Sequence, residues 1–96
     1  MNESIQLRAL DLITGEYKKK SYLELKAIEK NGTEFCYQCE GLNFRVEIHT
    51  NSTLYNILRI MISVEPDCCA GNLHGRARYY GITSDNTIIE NNDMAF

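Results

Sequence analysis

Between Leu42 and His49 the chain alternates strictly. Leu42, Phe44, Val46 and Ile48 are apolar, and Asn43, Arg45, Glu47 and His49 are polar. A period of two is that of a β-strand with one face buried and one face in water. A strand of this kind cannot stand alone, because its backbone groups need neighbours and its apolar face needs a cover. The chain is therefore constrained to an antiparallel sheet, and the neighbouring segments must supply the other strands.

Turn chemistry surrounds this strand. Glu40-Gly41 precedes it and turns or bulges the chain out of a strand over Thr33 to Cys39. Asn31-Gly32 tolerates positive φ at both positions, the requirement of a tight hairpin. It predicts that a strand over Tyr22 to Lys30 pairs with Thr33 to Cys39, with Lys30 opposite Thr33, Ile28 opposite Phe35 and Lys26 opposite Tyr37. Residues 5–13 alternate loosely and read as a further strand, followed by a turn at Thr14-Gly15-Glu16.

Downstream, Thr50 to Thr53 offers several helix-capping side chains. Leu54, Ile57, Leu58, Met61 and Ile62 then follow at helical spacing, which predicts a helix over 53–64 ended by Pro66. The rival is a fully buried strand, since Ile57, Ile60, Ile62 and Val64 are β-branched. Residues 65–75 read as a loop, 76–83 as a strand, 84–86 as a turn and 87–90 as a short last strand, with a frayed tail over 91–96. The expected fold is α+β in a single domain over 1–96. A small antiparallel sheet, a meander over about residues 5–49 plus a C-terminal hairpin, carries one helix on one face. Leu7, Leu23, Leu25, Phe44, Val46, Ile48, Leu54, Ile57, Leu58 and Met61 are the expected core.

Composition narrows the function classes. Hydrophobic residues make up 44 % of the 96 and charged residues 24 %, a globular balance rather than a disordered one. Thirteen acidic against ten basic groups argue against a dedicated nucleic-acid binder. The longest apolar stretch, Leu54 to Val64, is too short and too interrupted to cross a membrane. The first residues contain no basic, apolar leader pattern, so a cytoplasmic protein with reduced thiols is expected.

Three groups of residues carry chemical leads. Cys36-x-x-Cys39, with Cys68 or Cys69 and His74, has the donor types of a tetrahedral zinc site. The adjacent second pair is poor metal spacing, and Cys36 and Cys39 fall on opposite faces of a strand, so small buried thiols are the plainer reading. His49 and His74, with Arg76 or Arg78 on a phosphate, are the residue types of a metal-independent RNase, but no spacing ties them together. The segment Arg76-Ala77-Arg78-Tyr79-Tyr80 carries the residue types that anchor protein interfaces. As a strand it places Arg76, Arg78 and Tyr80 on one face and Tyr79 on the other. A solvated edge strand is the plainer reading of the same residues.

These observations together lead to the expectation of a small acidic protein-binding module of the inhibitor, immunity or anti-defence kind, microbial or phage in origin. Its contact residues would be Arg76, Arg78, Tyr79 and Tyr80, it would need no cofactor, and an edge strand would permit a homodimer. A zinc-stabilised module and a small RNase are the alternatives.

Overall fold

The computed structural model describes residues 2–28, 32–52, 56–66 and 75–90. Two helices, α1 (Asn2–Lys18) and α2 (Tyr22–Lys26), precede five strands: β1 (Thr33–Cys39), β2 (Leu42–Ser52), β3 (Ile57–Pro66), β4 (Arg76–Thr83) and β5 (Ile88–Glu90). The strands form one sheet in the order β1-β2-β3-β4-β5, with every neighbouring pair antiparallel. The expected α+β meander with a helix on one face is thus the observed fold, but the helix comes from a different part of the chain.

Residues 5–13 lie within α1 rather than in a strand. Gln6, Ala9, Leu10, Ile13 and Thr14 are buried, and Asp11, Leu12, Gly15 and Glu16 are exposed. That is a helical stripe, and its apolar members bury against the sheet. The Thr14-Gly15-Glu16 turn is therefore absent, and the helix runs through it. Residues 22–26 are α2, not a strand. Ser21 starts it with a reciprocal capping box: its hydroxyl accepts from the Glu24 amide, and the Glu24 carboxylate accepts from the Ser21 amide. Leu25 turns into the core, and Leu23 is 78 % exposed, so only one of these two expected core residues is buried.

The Asn31-Gly32 hairpin does not join the segments proposed for it. Gly32 has a φ of 66°, as expected, but its amide donates to the Ile28 carbonyl, closing a turn after α2. Phe35 pairs with Val46 and Tyr37 with Phe44, rather than with Ile28 and Lys26, and Thr33 pairs with Ile48. Lys30 and Asn31 lie outside the described residues.

Within the expected helix over 53–64, residues 57–64 instead belong to β3, the central strand, and 53–55 lie outside the described residues. Leu58, Ile60, Ile62 and Val64 point into the core, while Ile57, Arg59, Met61 and Ser63 are half-buried on the other face. A central strand with apolar residues on both faces loses the polar alternation that would announce it, and the leftover spacing mimics a helix. Of the expected core, Leu25, Phe44, Val46, Ile48 and Leu58 are buried, Leu7, Ile57 and Met61 are half-buried, and Leu54 lies outside the described residues. Each fully buried large aliphatic or aromatic side chain contributes about 1.5–3 kcal/mol of burial free energy.

The β1–β2 connection is a two-residue turn. Glu40 has φ 48° and Gly41 φ 85°, the paired positive values of a type I′ hairpin. The Arg8 guanidinium pairs with the Glu40 carboxylate and so fastens α1 to this turn. At the other end of the sheet, the Tyr22 amide donates to the Asn86 side-chain oxygen at 2.8 Å, fastening α2 to the β4–β5 turn.

A candidate protein-binding face

Because the helices cover one face of the sheet, alternation along each strand assigns every remaining side chain to the opposite face. No described element packs on that opposite face. Cross-strand register brings His49, Met61 and Tyr79 into one row over β2, β3 and β4, and Asn51, Arg59 and Gly81 into the next. A shallow depression of about 200 Å³ lies among these rows, lined by His49, Thr50, Asn51, Arg59, Met61 and Tyr79. Ile57 and Ile89, both half-buried, extend the apolar area on the same face.

Charged groups flank this centre in register. Arg45 pairs with Glu65 at 2.6 Å from the directly opposite position. Glu65, through its hydrogen bond and its charge, raises the Arg45 pKa above its ordinary value. Glu47 lies 3.7 Å from His49, a contact that becomes an ion pair only when the imidazole is protonated. The pattern is an aromatic and thioether centre beside a guanidinium, bordered by exposed polar groups. Protein interfaces have this anatomy.

The four residues expected to form one contact surface are divided between the faces, in the strand phase that the sequence implied. Tyr79 lies on the open face. Tyr80 is 1 % exposed and sits in the core, with the Lys18 ammonium 5.6 Å from its ring centroid. Burial, and to a smaller extent Tyr17, raises the Tyr80 hydroxyl pKa far above the ordinary tyrosine value. Arg78 reaches across the helix-covered face to Asp11 of α1 at 2.6 Å. Arg76 is exposed at the start of β4, opposite Val64. His49, Met61 and Arg59 were absent from the expected contact set, although the alternation over 42–49 already put His49 on the polar face. Met61 and Arg59 became legible only once β3 was known to be a strand.

The thiol lead divides in the same way. Cys36 is exposed on the open face, and Cys39 is buried on the helix-covered face, both as free cysteines. Two donors on opposite sides of one strand cannot enter the same tetrahedron while β1 stays paired. Cys68, Cys69 and His74 lie outside the described residues. Among the described residues, no group of three or more His, Cys, Asp or Glu side chains is placed to hold a metal. His49 is exposed with Glu47 beside it, and the partner required by an acid–base pair, His74, is outside the described residues.

Comparison with protein-family models, with curated proteins and with solved structures finds no match to this chain. No helix among the described residues is long and apolar enough to cross a membrane.

Proposed function

We propose that this chain is a small acidic protein-binding module of the inhibitor, immunity or anti-defence kind, and that it acts by stoichiometric contact through the open face of its sheet. The observation that supports this reading is the adjacency of Met61, Tyr79 and Arg59 around a shallow depression on that face. Tyr and Arg are over-represented among residues whose truncation costs an interface the most, and Met adapts its shape to a partner surface. A strand platform holds these groups on a rigid backbone, so little ordering is needed when the partner docks. The partner is another protein. The net charge of −3 favours one with a basic surface, because charge complementarity speeds encounter and excludes wrong partners.

The test is affinity capture from the native host with three baits: wild type, Tyr79→Ala and Arg76→Ala. The expected result is one dominant protein at unit stoichiometry with wild type and with Arg76→Ala, lost with Tyr79→Ala at an unchanged thermal midpoint. Equal retention of that protein by all three baits would overturn the assignment of the face.

A further inference from the structure

We propose that a second copy of this chain pairs with β1, edge to edge and antiparallel, about a two-fold axis through Cys36. Among the described residues β1 pairs only with β2, so one of its edges is a row of backbone donors and acceptors with no described strand beside it. Natural edge strands are usually blunted by Lys, Pro, a bulge or brevity. β1 has seven residues, Thr-Glu-Phe-Cys-Tyr-Gln-Cys, paired in continuous register with no bulge, and carries neither Lys nor Pro.

The backbone phase decides which residues face that edge. In a two-residue type I′ hairpin the pair flanking the turn, Cys39 and Leu42, is a hydrogen-bonded pair. Alternation then directs the N–H and C=O groups of Thr33, Phe35, Tyr37 and Cys39 toward β2, and those of Glu34, Cys36 and Gln38 toward the free edge. The far side of the sheet gives the same phase independently. The Thr83 amide donates to the Thr87 carbonyl at 3.0 Å, so odd-numbered residues of β4 face β5. Carrying that alternation back through the registers of β4, β3 and β2 again leaves Glu34, Cys36 and Gln38 facing outward.

An antiparallel copy must therefore match outward residues to outward residues, which leaves few registers. Centred on Cys36, all seven residues overlap: Cys36 faces Cys36 of the second copy, and Glu34 faces its Gln38. Centred one residue later, on Tyr37, Glu34 would face Glu40 of the second copy, a like-charge pair, and only five residues of the strand would overlap. Centred on Phe35, the overlap also falls to five. The central register has a further match on the helix-covered face. Phe35 and Tyr37, both half-buried against the core, come opposite each other across the new junction, twice by symmetry. They sit there in non-hydrogen-bonded pairs, where side chains approach closest. The result is a continuous ten-stranded sheet with both sets of helices on one side and the two open faces merged on the other. This inference stands on the backbone phase and does not rest on the identity of any other partner.

A single strand-to-strand junction is a small interface, so association should depend on concentration. Sedimentation equilibrium under reducing conditions, from about 1 µM to about 500 µM, should show wild type moving from monomer to dimer. Cys36→Lys places two ammonium groups at the axis on an exposed position and should stay monomeric with an unchanged thermal midpoint. In the Cys39→Ser, Cys68→Ser, Cys69→Ser background, a short bis-maleimide should link Cys36 to Cys36 of the second copy, since the Cβ atoms of directly opposed residues lie about 4.5–5.5 Å apart. Three results would each overturn the proposal: wild type monomeric throughout, a dimer that survives Cys36→Lys, or a dimer that Cys36 cannot cross-link.

Discussion

Gln6 of α1 donates from Nε2 to the backbone carbonyl of Val64 in β3 at 3.0 Å, across 58 positions of sequence, and both residues are fully buried. A polar side chain in an otherwise apolar interface is tolerated when it is hydrogen-bonded, and its geometry then selects one arrangement among many apolar ones. This bond sets where α1 lies along the central strand. Arg8 to Glu40 and Asp11 to Arg78 fasten the same helix to the β1–β2 turn and to β4 from its rim.

Gln6→Ala removes the bond and leaves a void under α1. The expected loss is about 2–4 kcal/mol in urea unfolding, the sum of a buried hydrogen bond and a truncated core side chain. Gln6→Met keeps the volume and should recover more than half of it. Equal losses for the two variants would mean that volume contributes nothing.

Asp11→Asn tests the rim in contrast. The Arg78 and Asp11 side chains are each about half exposed. The expected cost is therefore below about 1 kcal/mol and should shrink further in 1 M salt. A cost equal to that of Gln6→Ala would show the ion pair, not the buried amide, to be the main fastening.

Ser21→Ala breaks the capping box of α2, at an expected cost of about 1 kcal/mol. Hydrogen exchange should accelerate at Leu23, Glu24 and Leu25 before it changes in β2 or β3. Glu24 has a pKa held below the ordinary carboxylate value by its hydrogen bonds to Ser21. Its contribution is thus present above that ordinary value and is lost as pH falls through the lowered one, so the variant and wild type should converge in acid.

Tyr80 makes stability depend on alkaline pH. Its raised pKa means that the folded state holds the phenolic proton where the unfolded chain, with an ordinary value near 10, releases it. Proton linkage then leaves this stability intact below pH 10 and removes it as pH rises beyond. Tyr17, also raised by burial, acts in the same direction. The Tyr80 hydroxyl has no hydrogen-bond partner among the described residues. Tyr80→Phe should therefore match or exceed wild type at neutral pH and lose less of its thermal midpoint between about pH 8 and about pH 11. A Phe variant that declines as steeply as wild type would assign the alkaline loss elsewhere.

Legibility in the sequence followed the kind of signal each segment carries. β1 and β4 were readable with the bounds they have in the fold, and β2 was recognised with its start in place and extends to Ser52. Their signals are local: an alternating strand, a glycine turn, a run of β-branched and aromatic residues. The Ser21-x-x-Glu24 capping box that starts α2 is a local signal as well, but the stretch from Tyr22 to Lys30 reads as a strand. The contact residues were legible only in part. Tyr79 stood out by type, but its neighbours Met61 and Arg59 are placed by the register of β3.

By itself, then, the sequence determined that this chain builds an antiparallel sheet with one buried face, because side-chain alternation and turn residues act over a few positions. Tertiary structure decided which segment became the helix. Residues 5–13 and 57–64 are each apolar enough for either role. The central place in the sheet went to the β-branched segment 57–64, which can pack on both of its faces. The cover went to residues 2–18, which have one apolar stripe to bury and a Gln6 that reaches Val64 only from a helix lying across that strand.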